Sequence, residues 1–315
     1  MHDVHEVQRL LTGERLSIDE VASGRTCFLS HLGAQAKLAP GAWVAHRDLA
    51  YTLALGNLSP AQRTSLARSV LVEHGREFGV GRLRLVPLRS GLPAGGSSLL
   101  LEPRRRGGPR CLSTWALGTG AEPGPCDWLI LRAQPEWALD AAPPPLRASG
   151  LQTLVALGGQ VLVLVDNATS ALAVAQACRG HVDLASHPRF APFFEAVDPH
   201  APVLVWPHDA LDSTGLRQRS ILAAAILGAP ESTVQNVRAW LSSRDAGAAG
   251  DYELVRAGCP GRLDRPGVEA YWIACGRPRI LLTGDPTWAA QGAAWLRGCG
   301  ATVEVQGQAT QLALL

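Results

Sequence analysis

The chain has 315 residues, 47% of them hydrophobic and 18% charged, with a formal net charge of +2. That length supports one large or two ordinary domains with a core of their own, and so small a charge excess gives no strong field toward nucleic acid or an anionic membrane. Lys37 is the only lysine, and it follows Gln35-Ala36 rather than a glycine-rich turn, which excludes a phosphate-binding Gly-Lys-Ser/Thr loop and a pyridoxal Schiff base.

Residues 4–36 read as one or two helices, from the helical spacing of Val4, Val7, Leu10 and Leu11 and from Ser17-Ile18-Asp19-Glu20, which resembles a capped start. Pro40-Gly41 breaks the pattern. Ala42-Trp43-Val44-Ala45 is a short strand, Asp48 leads a helix to Leu58, and Ser59-Pro60 caps a second helix predicted to run to about Phe78. From Arg82 to Leu131 the period becomes two, around Leu83 to Leu88, Leu99 to Leu101, Cys111 to Leu117 and Trp128 to Leu131, which predicts an antiparallel meander. One of its turns concentrates Arg104, Arg105, Arg106 and Arg110. Pro135 to Leu139 is a short helix, and the prolines at 143–145 form the best candidate linker.

Beyond that linker, Leu154 to Leu157 and Val161 to Val165 predict a hairpin across Gly158-Gly159, followed by Asp166-Asn167 and a helix ending at Gly180. A further helix carries Phe190, Phe193, Phe194 and Val197 on one face. Pro202 to Trp206 is a strand, and Leu216 to Leu227 and Thr233 to Leu241 are helices. Val268 to Ala274 and Arg279 to Thr283 form a second hairpin, Asp285-Pro286 opens a helix bearing Trp288 and Trp295, and Thr302 to Val305 is a last strand. Asp166 and Asp285 each follow a hairpin and open a helix. The expected fold is therefore α+β: two related halves of antiparallel hairpins packed with helices, residues 1–142 and 143–315, the first with the extra arginine-bearing meander.

The strand and helix start Ala42 to Leu49, the helix end Gly75-Arg76-Glu77-Phe78-Gly79-Val80 and the segment Gly158 to Val197 together resemble a bacterial family known as the domain of unknown function DUF3352. The resemblance implies a comparable fold over most of the chain and an exported location, and it carries no catalytic residues. The chain's own N-terminus, Met1 to Glu6, shows neither a basic leader region nor an apolar core, and no apolar run approaches the roughly 20 residues of a bilayer span. Seven cysteines without a C-x-x-C pair argue against a disulfide framework or a zinc ribbon. These features predict a cytoplasmic protein with reduced thiols, no membrane span and no cofactor.

Two surfaces carry candidate chemistry. His181, Asp183, His187, His200, His208, Asp209 and Asp212 form the densest polar group, and imidazoles with carboxylates are ligands for zinc or iron. A metal-dependent hydrolase using His181, Asp183, His187, His208 and Asp209, with the three histidines as ligands, is the alternative reading. The arginines at 104, 105, 106 and 110 offer planar donor forks, but no aromatic residues flank them for stacking, so a protein partner is expected there rather than nucleic acid. The leading expectation is a non-enzymatic binding or assembly component. Nine tryptophans read as core, and any that stayed exposed would mark the partner surface.

Overall fold

The computed structural model describes residues 13–19, 25–33, 40–105, 107–138, 143–194, 200–217, 219–244 and 252–306. The chain forms two compact units, one of residues 1–140 and 262–315 and one of residues 141–261. The sequence reading draws a single boundary near 142. In the structure the chain passes from one unit to the other twice, and its last segment belongs with its first.

The first unit opens with a parallel sheet of β1 (Leu16–Ile18), β2 (Thr26–Leu29), β3 (Ala42–His46) and β4 (Val70–Val72), in that spatial order. Between β3 and β4 lie α1 (Arg47–Leu55), which buries Leu49 and Leu53, and α2 (Pro60–Ala67). Next come β5 (Phe78–Val80), β6 (Leu83–Arg89), β7 (Ser97–Pro103) and β8 (Cys111–Thr114), an antiparallel run, and then β9 (Trp128–Arg132), which joins β8 in parallel.

The second unit holds α3 (Ala148–Val155), β10 (Gln160–Val165), α4 (Ala168–Cys178), β11 (Leu184–Ser186), β12 (Val203–Pro207), α5 (Thr214–Arg217), β13 (Ile221–Leu227), α6 (Glu231–Arg244) and β14 (Glu253–Ala257). Its five strands are all parallel, in the order β11-β12-β10-β13-β14. Parallel neighbours require crossovers rather than tight turns, and α4 and α6 supply two of them. The chain then returns to the first unit with α7 (Arg265–Ala274), β15 (Arg279–Thr283), α8 (Pro286–Gly298) and β16 (Val303–Val305). β15 pairs with β9 and β16, completing a seven-stranded mixed sheet.

Alternation along the strands sets the layers of the first unit. Leu99 and Leu101 point inward with Phe28, Val44, Val72, Trp128 and Leu281, so the two sheets pack face to face. Leu100, on the opposite face of β7, joins Leu112, Leu129, Ile280 and Leu282 against Trp272 of α7 and Leu296 of α8. One side of the seven-stranded sheet thus covers the parallel sheet while the other is sealed by helices.

The α+β class holds, and the antiparallel expectation holds only for β5 to β8. Neither predicted hairpin forms. Leu154 and Val155 end α3, with Gly158 in the left-handed region at φ 95°, and Val268 to Ala274 lie in α7 behind the Asp264 cap and Pro266. Ser17 and Ile18 are in a strand, not a helix start, and the expected helical residues 4–12 lie outside the described residues. The helix from Pro60 stops at Ala67, because the Val70-Leu71-Val72 run joins β3 as a strand. Most of the predicted helix at 216–227 is β13, and the phenylalanine helix is a 3-10 turn at Ala191–Phe193, with Val197 outside the described residues.

Candidate functional site

All four strands of the short parallel sheet end in polar residues: Asp19 after β1, Ser30 and His31 after β2, His46 at the end of β3, Glu73 and His74 after β4. The carboxyl edge of a parallel sheet is where ligands bind in open α/β folds. Much of the first unit's buried polar inventory gathers here, with Ser30, His31 and Ser97 each 3% exposed or less and His46 at 8%. Asp19 adopts φ 59° and accepts hydrogen bonds from the Ser30 amide at 2.7 Å and from the Ser30 hydroxyl. Ser30 Oγ also lies 3.0 Å from His31 Nδ1, whose ring stacks on Trp115 at 3.7 Å. Beyond Trp115 stands Arg262, held by Gln134, whose amide nitrogen donates to the Trp115 and Arg132 carbonyls.

A second chain of contacts continues from Ser97, whose amide donates to the Ser30 carbonyl at 2.8 Å. The Ser97 hydroxyl donates to the Gly95 carbonyl, so His74 Nε2, 3.0 Å away, must be the donor in its own contact with Ser97 Oγ. His74 stacks on His46 at 4.0 Å, and His46 Nδ1 accepts from the Asp48 amide as the N-cap of α1. That places the proton of neutral His46 on Nε2. Burial lowers the pKa of both rings, and each also sits near Arg89. Gly95 is required at φ 70°, since a Cβ there would lie 2.4 Å from His46 Nδ1.

The chemistry this edge can perform is limited by its own satisfaction. The Ser30 proton goes to Asp19 rather than to an imidazole, and the hydroxyl is buried, so Ser30 is not an activated nucleophile. The cluster instead ties the ends of β1, β2 and β7 together through polar bonds. Sequence reading missed it because β1, β2 and β4 were expected as helix.

In the second unit the strands divide the predicted His/Asp group. His181 and Asp183 precede β11 and His200 precedes β12, whereas His187 and Arg189 follow β11, and His208 and Asp209 follow β12. His187, His208, Asp209 and Asp212 follow strands at the carboxyl edge, beside Asp166 and Asn167 at the end of β10. There Arg189 donates to both Asp209 oxygens at 2.9 and 3.2 Å, and His187 Nδ1 accepts the Arg189 amide while its ring meets Trp206 edge-on. Burial lowers the pKa of His208, with Asp166 opposing the shift, and its Nε2 has no partner among the described residues. Asn167, not Asp166, caps α4, and Asp166 accepts from the Ser170 hydroxyl at 2.5 Å. Among the described residues no three His, Cys, Asp or Glu are placed to hold a metal ion.

The arginine-bearing turn joins β7 to β8. Arg110 pairs with Glu102 at 2.6 Å, and Glu102 also meets Arg84. Arg104 and Arg105 are exposed, and Arg106 lies outside the described residues. Every tryptophan is buried or half-buried, so none marks a partner surface. The exposed apolar residues are elsewhere. Tyr51 and Leu55 of α1 and Val70 and Leu71 of β4, on two adjacent elements, are 71, 50, 56 and 53% exposed. They border the outer edge of the parallel sheet, where β4 has no strand beyond it among the described residues.

No family model and no curated protein matches the chain. The fold is similar to that of a crystal structure of a protein of unknown function from Enterococcus faecalis V583, at a TM-score of 0.50 and 12% identity, covering 82% of this chain and 74% of that one. At that identity the likeness is one of fold alone. Among the described residues no helix is long and apolar enough to cross a membrane.

Proposed function

We propose that the protein is a non-enzymatic binding component whose partner is an extended segment of another protein, added as a strand along β4. The observation that supports this is an open sheet edge with exposed apolar residues on both of its faces, Leu71 beside Tyr51 and Leu55 of α1 and Val70 on the opposite face. Tyr51 and Leu55 are four residues apart and share one face of α1. An open edge offers main-chain hydrogen bonds to an incoming strand, and exposed apolar side chains beside it favour burial under a partner. Arg47 and Glu73, paired at 2.8 Å, give the patch a polar rim. The arginine turn is secondary in this reading, since Arg110 is already paired.

A photo-crosslinking residue placed at Leu71 should capture one discrete protein in native extract, and one placed at Leu157 of the second unit should not. Tyr51→Lys should abolish that adduct. Absence of an adduct at position 71, or capture unaffected by Tyr51→Lys, overturns the proposal. The metal-dependent hydrolase reading has no comparable support, because β11 separates His181 and Asp183 from His187, His208 and Asp209.

A further inference from the structure

Among the described residues six strands end a sheet: β1 and β4, β11 and β14, β5 and β16. They differ in what they expose. β1, β11 and β16 have no exposed residue, β5 exposes Gly79 and β14 exposes Glu253, whereas β4 exposes Val70 and Leu71. Sheet edges are ordinarily blunted by charge, proline or a covering element, because a bare edge is a template for another strand. β4 carries neither charge nor proline in its three residues.

The surroundings of β4 are complementary to themselves. Arg68, exposed at the end of α2, precedes the strand, and the exposed Glu73 follows it. A second β4 laid alongside in the opposite direction and centred on Leu71 sets the two Leu71 side chains opposite each other and Val70 opposite Val72. The cationic end of each strand then lies beside the acidic end of the other. Leu71 is on the same side of the sheet as Tyr51 and Leu55, so a two-fold axis through it gathers these three side chains from both copies into one apolar patch. Val70 is covered on the opposite face. A two-fold contact uses the same patch on both copies and therefore needs this self-complementarity.

We propose that, until a partner strand arrives, the β4 edge is closed by β4 of a second copy of this chain, antiparallel about a two-fold axis at Leu71. This rests on the proposed function in one respect, that β4 accepts an added strand. The two four-stranded sheets then run on as one sheet of eight strands. Self-pairing regulates the site, because the partner's strand and the second copy use the same main-chain edge and exclude each other. Docking is thereby coupled to dissociation of the dimer, which dilution favours.

The test is sedimentation velocity of the purified full-length chain over a dilution series. The wild type should pass reversibly between monomer and dimer. Leu71→Lys and Leu71→Glu each set like charges opposite one another across the axis, and each alone should raise the dimer dissociation constant by roughly tenfold or more. An equal mixture of the two should recover the dimer, because opposite charges then face each other. A wild type that stays monomeric throughout, a dimer indifferent to Leu71→Lys, or a mixture that does not recover it each overturns the proposal. Should a variant fail to fold, a photo-crosslinking residue at position 71 of the otherwise wild-type, purified chain gives the answer. An adduct to residues 69–73 of a second copy supports self-pairing, and an adduct elsewhere or none overturns it. The two readings fail separately. A monomeric chain whose position 71 still captures another protein from extract sinks self-pairing alone, whereas a dimer that captures no other protein sinks the partner strand alone.

Discussion

His46 does three things at once: it ends β3, caps α1 through Nδ1 and stacks on His74. Accepting the Asp48 amide requires an unprotonated Nδ1, and burial lowers the ring's pKa below the ordinary 6.5. Burial is also the largest cause that lowers His74, His187 and His208. The sign follows from linkage. Below about 6.5 the unfolded chain takes up protons on these histidines that the folded chain refuses, so their stability is fully present above that pH and is lost as pH falls through the folded values. Urea midpoints measured from about pH 7.5 down to 5 should therefore decline, beyond what the carboxylates alone produce. His46→Asn keeps a capping acceptor that does not titrate, and it should flatten the decline. An unchanged slope would show that His46 titrates freely in the folded state.

Helix starts at the level of single elements were the most legible part of the sequence, because a cap is a local contact. Ser59-Pro60 and Asp285-Pro286 both form as their residues dictate, and Ser59 and Gln62 make a reciprocal capping box. Ser59→Ala should cost about 1 kcal/mol, read as a shift in the urea midpoint at unchanged slope; no shift would mean that packing alone sets the start of α2. Buried parallel strands were the least legible. Ile221-Leu222-Ala223-Ala224-Ala225-Ile226-Leu227 lies between two strands and is buried at all positions but one, so it lacks the alternation that identifies a half-exposed strand, and its alanines favour helix. α3 failed in the opposite direction, its Leu154-Val155 end, with Ala156 as the C-cap, being too short for its period to show. The candidate surface was hidden for the same reason. Val70 and Leu71 become an exposed edge only once β4 is a strand and the last in its sheet, which depends on long-range pairing.

At the scale of the whole molecule, the second unit has the form of an insertion. Its five parallel strands carry their own core, with Leu162, Leu164, Leu204, Ile226 and Val237 in one cluster. Its two ends lie side by side: the Leu146 amide donates to the Gly258 carbonyl at 2.9 Å, and the Gly258 amide donates to the Pro144 carbonyl at 2.8 Å. The linker signal of three prolines at 143–145 was visible in the sequence, but its partner near 258 was not, because the bridge between Pro145 and Gly258 forms only when both ends of the unit meet. A unit with paired ends and its own core should fold without the rest of the chain. Residues 141–261 expressed alone should give a cooperative urea transition, and replacing them in the full chain by a short glycine-serine linker should leave a folded first unit, because β15 and β16 complete its sheet from the far side of the insertion. The decisive comparison is between denaturation of the fragment and of the intact chain. A fragment that unfolds without cooperativity, beside an intact chain with one sharp transition, would show that the second unit depends on the first for its fold.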